Sequence, residues 1–141
     1  MRSSRAGMLL VIFVAQLLAP ILAVWAQTSP PLKNRIPKPD PKKYESIRDG
    51  KDWHNPQMFV RPDGIEIIGM TPAGRGIPAE SIPDKLEHLP DSAWPYGLVV
   101  AVSDIGIVSS RRDAPRINEN RTKLLKKLKG HGIAVVLWPS A

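Results

Sequence analysis

"LVVAVSD", Leu98 to Asp104, decides the fold. Its first five residues are apolar without interruption, and three of them are valines. A short run of this kind reads as a central strand covered on both faces, because a buried helix needs a longer segment. Ile105 to Val108 is expected to extend it or to start another short edge.

Downstream, "RRDAPRINENRTKLLKKLKGHG" (Arg111 to Gly132) carries helical periodicity. On a 100° wheel Ile117, Leu124 and Leu128 fall within about 40° of one another, with Leu125 beside them. Asp113 or Asn118 is placed to cap the start, and Gly130 or Gly132 to end the helix in a left-handed conformation. His131 then falls at the helix C-terminus, where a protonated ring meets the negative end of the dipole. Arg121 interrupts the apolar stripe, so it is expected either to lie at the helix end or to pair with an acid such as Asp104. "IAVVLW" (Ile133 to Trp138) reads as the last strand. Strand, helix, glycine and strand from Leu98 to Trp138 predict a βαβ unit with a right-handed crossover.

Upstream, Met58–Arg61 and Ile65–Ile68 are rich in strand formers. "PDG" (Pro62, Asp63, Gly64) between them supplies a fixed φ, a turn-capping carboxylate and a permissive glycine, which predicts a hairpin. "MTPAGRGIPAES" is a loop whose glycines lack the spacing of a phosphate-binding motif. A short helix is expected from Ile82 to Leu89, with Ser81 as cap, Pro83 and Asp84 in its first turn and Pro90 as its stop. Ile82, Leu86 and Leu89 share its apolar face. The elements sum to ββαβαβ: a small two-layer α+β or α/β sandwich, its four-stranded mixed sheet carrying two helices on one face. Residues 51–141 are assigned to it, enough for one core.

The order resembles the periplasmic domains of TolR-type energy-transducing proteins, which are also built as ββαβαβ after a tether. The resemblance is one of topology, over roughly Gln57 to Trp138, and it implies a tethered accessory subunit of an envelope complex. That family's membrane segment carries an acidic residue, whereas Met8–Ala26 has none, so no site residue is carried over.

Residues 1–26, "MRSSRAGMLLVIFVAQLLAPILAVWA", have the three parts of a secretory signal. Arg2 and Arg5 give the positive start, Met8–Leu18 is apolar apart from Gln16, and Pro20 breaks the helix. Val24 and Ala26 fit the −3 and −1 positions of a cut between Ala26 and Gln27. Membrane attachment is expected only if this segment stays uncut. Residues 27–50 are read as a Pro- and Lys-rich extended linker, with Pro30, Pro31, Pro37, Pro39 and Pro41 favouring polyproline conformation and order beginning near Tyr44. The expected compartment is periplasmic or extracellular, and the absence of cysteine suits a bacterial envelope protein.

Of 141 residues, 20 are Lys or Arg and 13 are Asp or Glu, a net charge of +7. Without Arg2 and Arg5 the balance is 18 against 13, or +5. That charge favours anionic partners. No nucleic-acid partner is expected, since no recognition motif is present. With no cysteine there is no disulfide, no thiolate nucleophile and no lipoprotein anchor. His54, His88 and His131 share no ligand spacing, so neither metal nor cofactor is expected. Ser103, Asp104 and His131 fall at opposite ends of a parallel βαβ unit, and there is no GxSxG elbow, so no catalytic residue is assigned. "NRT" at Asn120 is a formal glycosylation sequon.

Two surfaces remain as candidates. Arg116, Lys123, Lys126 and Lys127 belong to a stretch, Arg111–Lys129, with eight Lys or Arg against Asp113 and Glu119. Trp94 and Tyr96 either cap the core or, if exposed, form an aromatic platform for a glycan or peptide. The expected function is an exported, non-enzymatic interaction module whose partner is a protein or an anionic envelope polymer. A small hydrolase with an unrecognised site is the alternative, and the carboxyl end of the sheet, where Ser103 and Asp104 meet the tail "PSA", is its default place.

Overall fold

A computed structural model of the chain describes residues 29–104 and 111–139. The chain divides into two units, Met1–Pro30 and Pro31–Ala141. Nearly all of the first, with the signal segment and the Ala26–Gln27 cut, lies outside the described residues, as does the expected extension at Ile105–Val108. The architecture below is that of the second unit.

Four strands form one mixed sheet: β1 (Gln57–Arg61), β2 (Gly64–Ile67), β3 (Val99–Asp104) and β4 (Ala134–Leu137). Their spatial order is β2-β1-β3-β4. β1 and β2 are antiparallel, with Arg61 opposite Gly64 across the turn Pro62–Asp63, as the PDG signal predicts. β1 and β3 run parallel, as do β3 and β4. Three α-helices accompany the sheet among the described residues: α1 (Leu32–Arg35), α2 (Ile82–Glu87) and α3 (Ala114–Gly130).

Strand alternation separates two apolar layers. Met58, Val60, Ile65, Ile67, Val100 and Val102 point to one face and are buried. Ile82 and Leu86 of α2, and Ile117, Leu124 and Leu128 of α3, close over them as one core. Both expected helices therefore cover one face. Pro83 and Pro115 occupy their first turns, where a missing N–H costs nothing. Gly132, at φ +72, supplies the left-handed exit from α3. Ser81 does not cap α2: its hydroxyl donates to Pro78 O at 2.7 Å.

The segment read as a solvated linker is corrected. Leu32 and Ile36 are 2% and 5% exposed and belong to the main core. Arg35 fastens α1 to α2, donating to Glu87 O at 2.6 Å and Leu89 O at 3.2 Å and pairing with Asp91. Beyond α1 the chain lies along the start of β3: Leu98 N donates to Pro37 O (2.9 Å), and Asp40 N to Tyr96 O (3.0 Å). Gly97 permits this approach. It sits at φ +85, and a Cβ there would stand 2.4 Å from Lys38 O. The folded unit thus begins near Pro31 rather than residue 51, because two apolar side chains among the prolines find a core to enter.

The sheet's second face is also partly covered. Val99 and Ala101 of β3 pack with Trp53 and Tyr96, flanked by Tyr44, Ile47, Val136 and Trp138. Trp53 centres the cluster, with ring centroids 5.1 Å from Tyr96, 5.4 Å from Trp138 and 5.6 Å from Tyr44. None of the described α-helices contributes to it. The cover is an irregular arm, residues 41–56, whose two 3-10 turns (Pro41–Lys43 and Gly50–Asp52) are started by aspartates. Asp40 Oδ1 accepts from Lys42 N, and Asp49 Oδ1 accepts from Lys51 N.

Candidate functional site

The basic candidates lie on α3. Arg116, Lys123, Lys126 and Lys127 are all exposed. On the wheel Arg116, Lys123 and Lys127 align within about 40°, roughly 100° from the buried stripe. Lys123 is tied to Glu119 one turn earlier at 2.9 Å. That pairing lowers the Glu119 carboxyl below its usual value and raises the Lys123 ammonium. Arg121 turns to the sheet and pairs with Asp104 at the end of β3, its Nε donating to Asp104 Oδ1 at 3.0 Å. Arg116, Lys126, Lys127 and Lys129 make no ion pair among the described residues.

Trp94 and Tyr96 do not make a platform. They are 3% and 8% exposed, and they lie on opposite faces of the sheet. Pro95 and Tyr96 are the central residues of a turn closed by Gly97 N, which donates to Trp94 O at 3.0 Å, so the two rings leave the chain in different directions. The Tyr96 hydroxyl donates to Asp52 O (2.9 Å) and accepts from His54 N (3.3 Å). The Trp94 Nε1 makes no hydrogen bond among the described residues.

Asp104 and His131 are committed elsewhere. Asp104 holds Arg121, while His131 Nδ1 lies 2.8 Å from Lys127 O at the far end of α3. The asparagine of the sequon is likewise engaged: Asn120 Nδ2 donates to Arg61 O at 2.8 Å, linking α3 to the hairpin turn. No group of three or more metal-ligating side chains stands together among the described residues, and no described helix is long and apolar enough to cross a membrane.

One concave feature includes Ser103 and Pro139 from the expected carboxyl end of the sheet, but not Asp104, and its remaining walls were not anticipated from the sequence. A groove of about 990 Å³ opens on the second face of the sheet, beside the arm. Gln57 and Phe59 of β1, Ser103 of β3 and Val136 of β4 form its floor. Trp138 and Ile68 bound it, and Tyr44, Ile47 and residues 48–51 overhang it. A Cβ on Gly50 would stand 3.2 Å from both Gln57 Nε2 and Trp138 Cζ3, so the arm sits tightly on this wall. Ser103 is 5% exposed, and its Oγ has no hydrogen-bond partner among the described residues. The signal available beforehand was that β3 is apolar on both of its faces while the helices account for only one.

Comparison with known proteins adds no relative: no protein-family model, no curated protein and no solved structure matches this chain.

Proposed function

We propose that this chain is an exported interaction module that holds an anionic envelope component against the exposed basic face of α3. The observation that carries this reading is the set of exposed cations, Arg116, Lys126, Lys127 and Lys129, without ion-pair partners among the described residues. Arg121 and Lys123 are neutralised by Asp104 and Glu119 and add nothing to it. Four like charges on a rigid helix create a local field that attracts polyanions without demanding a particular sequence or sugar.

Retention on a soluble polyanion such as dextran sulfate tests it. Raising the salt from about 0.1 M to about 1 M shortens the screening length from about 10 Å to about 3 Å and should abolish binding. Lys126→Glu with Lys127→Glu should weaken it at least about tenfold, equal to about 1.4 kcal/mol. Salt-independent retention, or retention unchanged in the double variant, defeats the proposal. Export is tested separately by the intact mass of the protein recovered outside the cytoplasm, expected to begin at Gln27.

A further inference from the structure

We infer that the groove on the second sheet face is a binding site for an uncharged, ring-bearing small molecule whose one hydrogen-bonding group meets Ser103 Oγ. The site is separate from the basic face of α3, which packs on the other side of the sheet.

Four observations lead there. The volume, about 990 Å³, matches pockets that enclose drug-sized molecules, roughly 300–1,000 Å³. The walls are mostly apolar, with the rings of Phe59, Trp138 and Tyr44 offering faces and edges for stacking. At the floor Ser103 lines the groove, and its hydroxyl, covered by surrounding atoms, has no hydrogen-bond partner among the described residues, so a ligand meets it through rotation about χ1. An unsatisfied buried hydroxyl costs about 1–3 kcal/mol, and a ligand group that bonds it recovers that cost. Finally, the floor residues Gln57, Phe59, Ser103 and Val136 are uncharged, and the charged side chains at the rim balance, Arg48 and Lys51 against Glu45 and Asp49. A charged group against the floor would lose its hydration with no counter-charge in contact, and the rim as a whole favours neither sign.

The strands at the centre of the groove favour a small molecule over a peptide. Peptides add to sheets through free main-chain edges. At the centre of the groove, β1 is paired on both sides by β2 and β3, and β3 by β1 and β4; β4, which lines one side through Val136 and Leu137, is an edge of the sheet. At Phe59 and Ser103 recognition therefore runs through side chains, and a peptide pairing with the free edge of β4 is the competing outcome, recognised by binding that Ser103→Ala leaves unchanged.

The test uses N-phenyl-1-naphthylamine, a neutral two-ring dye with one N–H that fluoresces in apolar surroundings. The full folded chain should bind it saturably, one dye per chain, with energy transfer from tryptophan. Ser103→Ala should lower dye affinity about five- to tenfold, while thermal stability stays level or rises because an unpaired polar group has gone. Ile68→Asp, at a rim position 45% exposed, should weaken binding without unfolding the chain. Lys126→Glu with Lys127→Glu should bind the dye as the parent does, which separates this site from the polyanion surface. The proposal is overturned by non-saturable binding, or by parent-like affinity in both Ser103→Ala and Ile68→Asp. It is equally overturned if Ser103→Ala lowers stability, or if the anionic analogue 1-anilinonaphthalene-8-sulfonate binds more tightly than the neutral dye.

Discussion

Arg121 of α3 closes on Asp104, the last residue of β3, through both its Nε and a terminal guanidinium nitrogen. The pair explains a charge that the helical wheel places amid leucines. The arginine's stem lies along the core stripe while its head reaches the carboxylate at the sheet end. Asn118 Oδ1 accepts from the third nitrogen at 2.9 Å. The two side chains retain 31% and 26% exposure, so solvent screens the attraction in part. Arg121→Ala should destabilise the fold by about 1–2 kcal/mol. A double-mutant cycle with Asp104→Ala, read by denaturant unfolding, should return a favourable coupling above about 0.5 kcal/mol; additive effects would dismiss the pair.

Gly97→Ala tests whether the N-terminal arm belongs to the fold. The substitution meets a positive φ and a backbone oxygen at 2.4 Å together. It should cost about 2 kcal/mol or more. Limited proteolysis should then cut between residues 30 and 40 much faster than in the parent. An unchanged cleavage pattern would return that segment to the status of a linker.

Asn55 is the buried polar joint between the arm and β3. Its Nδ2 donates to Gly97 O and Val99 O at 2.8 and 2.7 Å, and its Oδ1 accepts from Tyr96 N at 3.0 Å. Asn55→Ala strands three backbone groups away from water and should cost about 3 kcal/mol. Chemical denaturation measures this directly. A loss under about 1 kcal/mol would mean that water replaces the side chain.

Asp63 makes the hairpin turn pH-sensitive. The Gly76 amide donates to its Oδ2 at 3.0 Å, and this bond is the main cause of a carboxyl pKa below the ordinary 3.8. Burial opposes the shift, and Arg61 reinforces it at 2.9 Å. Because ionised Asp63 is favoured in the folded state, its contribution is complete above the ordinary value. It is lost as pH falls through the lower folded value. Half exposed, the group contributes modestly. Asp63→Asn should therefore lower stability at neutral pH and match the parent at the acid end. Parallel curves for the two proteins across that range would remove the assignment.

Periodicity, two uninterrupted apolar runs and one turn motif made the sheet and its two main helices legible. Alternation separates Met58 and Val60 from Gln57 and Phe59, and the 3.6 period separates Ile117, Leu124 and Leu128 from the lysines. The PDG turn joins β1 to β2 by local chemistry. Such signals depend on neighbours within one turn or one strand, so they survive without the rest of the molecule. The fate of Arg121 was legible as a short choice, since a charge in an apolar stripe requires an acid, and Asp104 stood at the end of the adjoining strand.

The groove and the arm were settled elsewhere. Among prolines and lysines, Leu32 and Ile36 look too sparse to build a core of their own. They are buried because α2 and the sheet already provide one, a condition set by residues more than twenty positions away. The same holds for Ser103. Its sequence neighbours place it on the second face of β3, but only the distant arm around Gly50 and the tail at Trp138 make that face a groove. Sequence by itself thus determined the four strands, α2, α3 and their order. The tertiary structure alone decided what covers the second face of β3, because that cover comes from long-range contacts of an aperiodic segment.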